Sequence, residues 1–275
     1  MNLDKTFIID KINELKIKAN NYQFKPDSFA KFGNDKDSQL HITYVRDSSG
    51  GNYPKFLASL VKEMGFKNIV ELGSEKGFST LSIYDALPAE SSFITIDLIK
   101  DQRYCPNKMF SDPRVKFVFG DVCDLSIFSG KIPMDIDFLF TDTIHFNFQL
   151  RDEWAVYQHL LADCALVAID DINLNDKRGL FDELKFLKWD LTEICHVSGW
   201  GLFLFEREES LSREERILKS YQASAEIWRR KYAELEVIVN EINRKKIKTK
   251  IRLFIHKHKK IHSIVLIIKK LIKKI

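Results

Sequence analysis

Acids recur at matched positions along the middle of this chain, each at or just past the end of a short apolar run. Glu71 lies within the end of Ile69–Leu72, and Asp97 follows Phe93–Ile96. The pair Gly120-Asp121 follows Val115–Phe119, Asp142 and His145 follow Ile136–Phe140, and Asp170-Asp171 follow Ala165–Ile169. One acid after one strand is ordinary turn chemistry, because Asp readily starts loops. Five consecutive strands ending this way instead point to a ligand-binding rim, since open parallel sheets bind ligands beyond the carboxyl ends of their strands. Asp97 stands 26 residues beyond Glu71, near the place from which a carboxylate accepts hydrogen bonds from a ribose diol.

Two chemistries follow from these residues. Around Glu71 the chain reads E-L-G-S-E-K-G-F-S-T, so Gly73 and Gly77 bracket a turn into a helix. Glycines let such a backbone turn sharply and approach a ligand closely. The dinucleotide pattern G-x-G-x-x-G is absent, and Ser74 and Glu75 occupy the turn. That loop suits a positively charged nucleoside better than a pyrophosphate, which counts against a dehydrogenase. Asp142, Asp170 and Asp171 are the second set. Carboxylates converging on one point repel unless a cation sits among them, and hard oxygen donors without thiolates select Mg²⁺, with Mn²⁺ an alternative. A metal-bound hydroxyl loses its proton more readily. His145, with an ordinary imidazole pKa near ~6.5, is the general base expected there. His159, in an expected helix, and His196, in an expected strand, read as structural.

The elements that must position these groups alternate. To the five runs above are added strands at Leu191–Val197 and Leu202–Phe205, with helices expected over Leu3–Lys18, Tyr53–Met64, Ser79–Ala86 and Gln149–Leu161, and Asn20–Asp37 reading as loop. Short apolar runs separated by crossover helices make an α/β fold with a Rossmann-like, seven-stranded, mostly parallel sheet. Only Ser198–Gly201 separate the last two runs, so they should pair as a terminal antiparallel hairpin.

At these residues the chain resembles the class I S-adenosylmethionine-dependent methyltransferases. E-L-G-S-E-K-G-F-S-T, I-T-I-D-L, G-D-V and the final hairpin carry the resemblance, over roughly Tyr53 to Glu206. It implies that the first loop (Glu71, Gly73, Ser74, with Gly77 completing the turn) runs along the methionine part of the cofactor. Asp97 would hold the ribose and Asp121 the adenine amino group. D-T-I-H followed by Asp170-Asp171 is similar to the metal-dependent sugar O-methyltransferases of the macrolide type, which implies Asp142, Asp170 and Asp171 as Mg²⁺ ligands and His145 as base. The chain departs from those patterns in having two loop glycines rather than three, Thr143 where Gly is commoner, and Asp170 where Glu is often found. The expected activity is O-methylation of a sugar or glycan hydroxyl. The alternatives are a catechol-like acceptor, or a non-catalytic membrane-associated adaptor that keeps the fold.

Composition sets the remaining expectations. In 275 residues, 45% hydrophobic and 12% aromatic, there is room for one large α/β domain with an appendage. Cys105, Cys123, Cys164 and Cys195 are scattered without metal-ligand spacing, and the charged N-terminus shows no signal peptide, so reduced thiols in a cytoplasmic protein are expected. The net charge of +4 hides an asymmetry: residues 244–275 hold 13 of the 43 basic residues and no acid, which leaves the rest at −9. The expected organisation is a helix and loop region at 1–52, the methyltransferase domain at 53–208, a helical extension at 209–243 and a basic amphipathic tail at 244–275. Apolar residues at steps of three and four from Tyr221 to Ile242 suit a long helix, a coiled coil joining copies of the chain or packing elsewhere. Ile264–Ile268 is too short to span a bilayer, and a basic amphipathic tail suits an anionic membrane surface at the inner face of the membrane. Nucleic acid, disfavoured because it would waste the apolar face, and a partner protein are the competing uses of that charge.

Overall fold

Asn68–Leu72 forms strand β1, whose last four residues are fully covered, as an apolar run must be when a sheet is flanked on both faces. In this computed structural model the described residues are 5–25, 27–32, 36–46, 51–129 and 132–243. The basic tail at 244–275 lies outside them. Three helices precede β1: α1 (Lys5–Lys18), α2 (Lys36–Arg46) and α3 (Tyr53–Met64). After it come α4 (Phe78–Ala86), β2 (Ser92–Asp97), α5 (Asn107–Phe110), β3 (Val115–Phe119), β4 (Ile136–Thr141), α6 (Asn147–Tyr157) and β5 (Leu161–Asp170). The chain continues through α7 (Arg178–Glu183), β6 (Leu187–Asp190), α8 (Thr192–Cys195), β7 (Trp200–Glu206) and α9 (Arg213–Asn243).

One seven-stranded sheet results, ordered β3-β2-β1-β4-β5-β7-β6. β1 to β5 are mutually parallel, and β7 runs antiparallel to both β5 and β6. The expected fold class holds, including the antiparallel end. Asp170 at the close of β5 is in register with Trp200 at the start of β7, so the β6–β7 connection reaches the same end of the sheet as the acids.

The sixth strand is misplaced in the sequence reading. It occupies Leu187–Asp190, and most of the apolar run at Leu191–Val197 instead forms α8 and its flanks. Asp190 Oδ1 accepts from the Thr192 backbone N–H (3.0 Å) and hydroxyl (2.5 Å), which turns the chain out of the strand. His196 therefore follows a helical turn rather than sitting in a strand. α2 is also absent from the sequence reading; it begins at Lys36, where loop was expected.

α1, α3 and α4 pack together over one region of the sheet, burying Ile8, Ile12, Phe56, Leu57, Leu60 and Leu81. The chain divides into two units, residues 1–224 and 225–275. The first turns of α9 thus belong to the first unit. Arg216 donates to the His159 carbonyl (3.0 Å) and the Leu161 carbonyl and pairs with Asp135 (2.9 Å). Ser220 and Ser224 donate to the carbonyls of Val156 (2.8 Å) and Cys123 (2.6 Å). Among the described residues no helix is long and apolar enough to cross a membrane.

Candidate active site

The turn after β1 is shaped by its glycines. Gly73 has φ +92°, and a Cβ there would fall 2.1 Å from the Asp142 carbonyl oxygen. No other residue fits that contact. The backbone after β1 therefore lies directly against the backbone after β4, drawn there by parallel pairing that ends with Asp142 N–H donating to Leu72 O (2.8 Å). Gly77, at φ +99°, starts α4, and its N–H closes the turn onto Ser74 O (2.7 Å).

Asp97, at the end of β2, holds that turn from the other side. Its Oδ2 accepts from the Glu75 N–H (2.7 Å) and its Oδ1 from the Ile99 N–H (2.8 Å), and burial raises its pKa. Glu75 itself has φ +41°, a rare conformation for a residue with a side chain. Gln102 adds a bond to Ser74 Oγ (3.1 Å); it went unnoticed in the sequence because nothing local marks it. At the end of β3, Asp121 accepts from the Cys123 N–H (2.9 Å). Gly73, Ser74, Gly77 and Asp97 thus meet in one turn beside the acid cluster, with Asp121 at the end of the next strand.

Glu71 departs from its expected place on the ligand. It is 0% exposed and accepts from Ser79 (2.6 Å), Thr80 (2.7 Å) and Thr95 (2.5 Å). Burial pushes its carboxyl to about 7. Its carboxylate joins β1, β2 and α4, so any effect on a bound nucleoside passes through the loop it holds.

The second acid set gathers, with one change of partners. Ligand atoms of Asp142, His145 and Asp171 all lie within 4.8 Å of one another, and so do those of Asp170, Asp171 and His196. Asp170 is not drawn into the first trio: its Oδ1 meets His196 Nε2 at 2.8 Å. Asp142 and Asp171 form the carboxylate pair, and His145 Nδ1 lies 3.2 Å from Asp171 Oδ2. Asp171 has φ +56°, so its side chain is aimed by a strained backbone.

Electrostatics in this cluster follow from crowding. Burial, then the charge of Asp170, raises Asp142 well above the usual carboxylate range. The same causes bring Asp171 to about 6. Burial opposes a charged His196, but the bond to Asp170 and the charges of Asp170 and Asp171 together outweigh it and raise its pKa. Beneath them Lys177 is fully buried and donates to the Asp170 carbonyl (2.6 Å), and its charge works against the rise at Asp142 and Asp171. Buried Glu153 accepts from Thr141 (2.6 Å), Thr143 (2.5 Å) and Gln149 (2.8 Å), bracing the β4–α6 turn. His196, Lys177 and Glu153 escaped the sequence reading. Thr143 and Gln149 at polar spacing around Glu153 were the only local hint. His159 is half-buried on α6's trailing turn, away from these groups in the sequence, and is not part of either trio.

Residues 70–172, from β1 to just past the acid pair after β5, match the family described as a methyltransferase domain. The fold is shared with a methyltransferase from Geobacter sulfurreducens at 18% identity and a TM-score of 0.51, over 75% of this chain and 100% of that one. Residues 70–172 are thus similar to a methyltransferase domain, on a fold shared with that structure. The chain is also similar to the SAH-bound methyltransferase PaMTH1 of Podospora anserina (14% identity, TM-score 0.49, 76% of this chain and 99% of that one). A third similar structure is an O-methyltransferase from Bacillus cereus in complex with SAH (15%, TM-score 0.46, 70% and 97%). No curated protein sequence matches the chain.

Proposed function

We propose that the chain is an S-adenosylmethionine-dependent O-methyltransferase that needs Mg²⁺ and acts on a hydroxyl of a sugar or glycan. One observation carries this reading: the Gly73 turn abuts the backbone of Asp142, so a nucleoside sulfonium along that turn would end beside the Asp142–His145–Asp171 trio. The donor set fits a hard divalent ion. Burial and then the charge of Asp170 raise both of its carboxylates, and no thiolate stands among them.

Asp97 keeps lone pairs for a ribose diol while two backbone N–H groups fix its plane. Asp121 is positioned for an adenine amino group. When bound, the nucleoside supplies an electrophilic methyl on a cationic sulfur. Asp142 and Asp171 would hold the ion, which would supply Lewis acidity for loss of the acceptor's hydroxyl proton. His145 accepts that proton. Asp171 Oδ2 lies 3.2 Å from His145 Nδ1, beside the ring but not in hydrogen-bond geometry with it. Asp170 is held by His196 and supports the geometry from behind. The basic tail at 244–275, outside the described residues, we assign to an anionic membrane surface.

Calorimetry with S-adenosylmethionine and spin resonance with Mn²⁺ test the two halves separately. Asp171→Asn should weaken Mn²⁺ binding by about tenfold or more while leaving nucleoside affinity near wild type. His145→Ala should cut methylation of a glycan acceptor by ~10²–10⁴ with both affinities retained. Absence of nucleoside binding would leave only the adaptor reading. Full turnover in a chelator would remove the ion.

A further inference from the structure

The loop that carries His145 is built inside out. From Thr143 into the start of α6 at Phe148 the residues alternate, and the apolar ones are outside: Ile144 is 43% exposed, Phe146 42% and Phe148 58%. Thr143, His145 and Asn147 are the more covered residues between them. Thr143 donates to Glu153 and His145 faces Asp171. Asn147 Oδ1 accepts from the Leu180 N–H of α7 (3.1 Å), and its own N–H donates to Asp176 Oδ1 (3.4 Å), two residues past Leu174, which is also exposed. The Phe146 and Phe148 rings stack on each other, with centroids 5.6 Å apart and planes 24° apart. A soluble loop without an apolar occupant gains nothing from this arrangement. The shelf adjoins the acid trio along the chain, since Ile144 and Phe146 flank His145.

We propose that this shelf holds the apolar part of an amphiphilic acceptor, a hydroxylated sugar head joined to an aliphatic chain. The head lies over His145 and the chain runs across Phe146, Phe148 and Leu174. The inference rests on the methyltransferase reading of the neighbouring trio and extends it to the class of acceptor. Two features favour such an acceptor over a free sugar. A sugar alone would stack on one ring face, whereas Ile144 and the stacked Phe146 and Phe148, with Leu174 on the neighbouring segment, expose more apolar surface than one ring. The shelf also begins at the candidate base, so its occupant is what the base acts on.

The test uses the full chain, with methyl β-glucoside and octyl β-glucoside below its micelle concentration as calorimetric probes and S-adenosylhomocysteine present. The octyl compound should bind at least ~tenfold more tightly than the methyl one, as expected when several methylenes leave water. In Phe146→Ser/Phe148→Ser that margin should fall to about twofold or less, and Leu174→Ser should lower it independently. Equal binding of the two probes by the wild-type chain, or an undiminished margin in both variants, would overturn the proposal. So would variants that lose binding to anionic vesicles while keeping the margin, since the shelf would then serve a membrane surface. S-adenosylhomocysteine affinity, read in the same titrations, should be the same in all variants. Its absence in the wild type would instead count against the methyltransferase reading, whatever the probes do.

Discussion

Glu71 sits where a charge is expensive, with three hydroxyl groups around it and no solvent. Its carboxyl is raised from the model-compound 4.5 to about 7, so the folded chain keeps a proton that the unfolded chain has released. Stability from this group is therefore fully present below about pH 4.5 and is lost as pH rises through 7. Glu71→Gln keeps the shape and removes the titration. The wild-type unfolding midpoint should fall between pH 5 and 7.5 more steeply than that of Glu71→Gln, by a difference of up to ~3 kcal/mol in unfolding free energy. Parallel pH profiles would show that Glu71 is not the titrating group. The acids themselves were legible because each follows an apolar run, and that spacing is local. Their partners were not. Asp170 meets His196, 26 positions away, and Glu71 meets Thr95 across a strand pair. Pairings of that range are decided by sheet order, which residue type alone does not disclose.

At the scale of elements, the five parallel strands were readable from runs bounded by Gly and Asp, and Val115–Phe119 and Tyr53–Met64 have the very bounds expected. β6 was not readable, because its four residues, Leu-Lys-Trp-Asp, are short and alternate with charge, while the more apolar stretch after it is a helical turn. D-x-T at Asp190 was the overlooked signal for that turn. Lys188 strengthens the short strand by donating to the carbonyls of Phe181, Asp182 and Leu184 at the end of α7 (2.7–3.0 Å). For the helix after β7 the sequence left a coiled coil and packing on the body both open, and Arg216 and two serines fasten its start to the backbone around β5, α6 and the segment after β3. Arg216→Ala should lower urea-measured stability by about 2–3 kcal/mol. Arg216→Lys should recover only part of it, because a lysine cannot reach two carbonyls and Asp135 in one plane. No loss on Arg216→Ala would mean that α9 docks without this clamp.

For the whole molecule, the charge asymmetry is the largest feature composition exposes: 13 basic residues in the last 32 against a body at −9. If the tail binds anionic membranes, the full chain should float with vesicles containing phosphatidylglycerol and be released as salt rises. A chain ending at Asn243 should not float, and equal flotation of the two would discard the membrane role. The sheet has its own division of labour. Acids on β2 and β3 lie to one side of β1, those after β4 and β5 to the other, and the two halves touch where Gly73 meets the Asp142 carbonyl. A side chain cannot be inserted at that seam, so a shift on one side is felt on the other. If an ion at Asp142 and Asp171 strengthens nucleoside binding, the nucleoside strengthens ion binding by the same factor, and Gly73→Ala should shrink that factor in both directions alike.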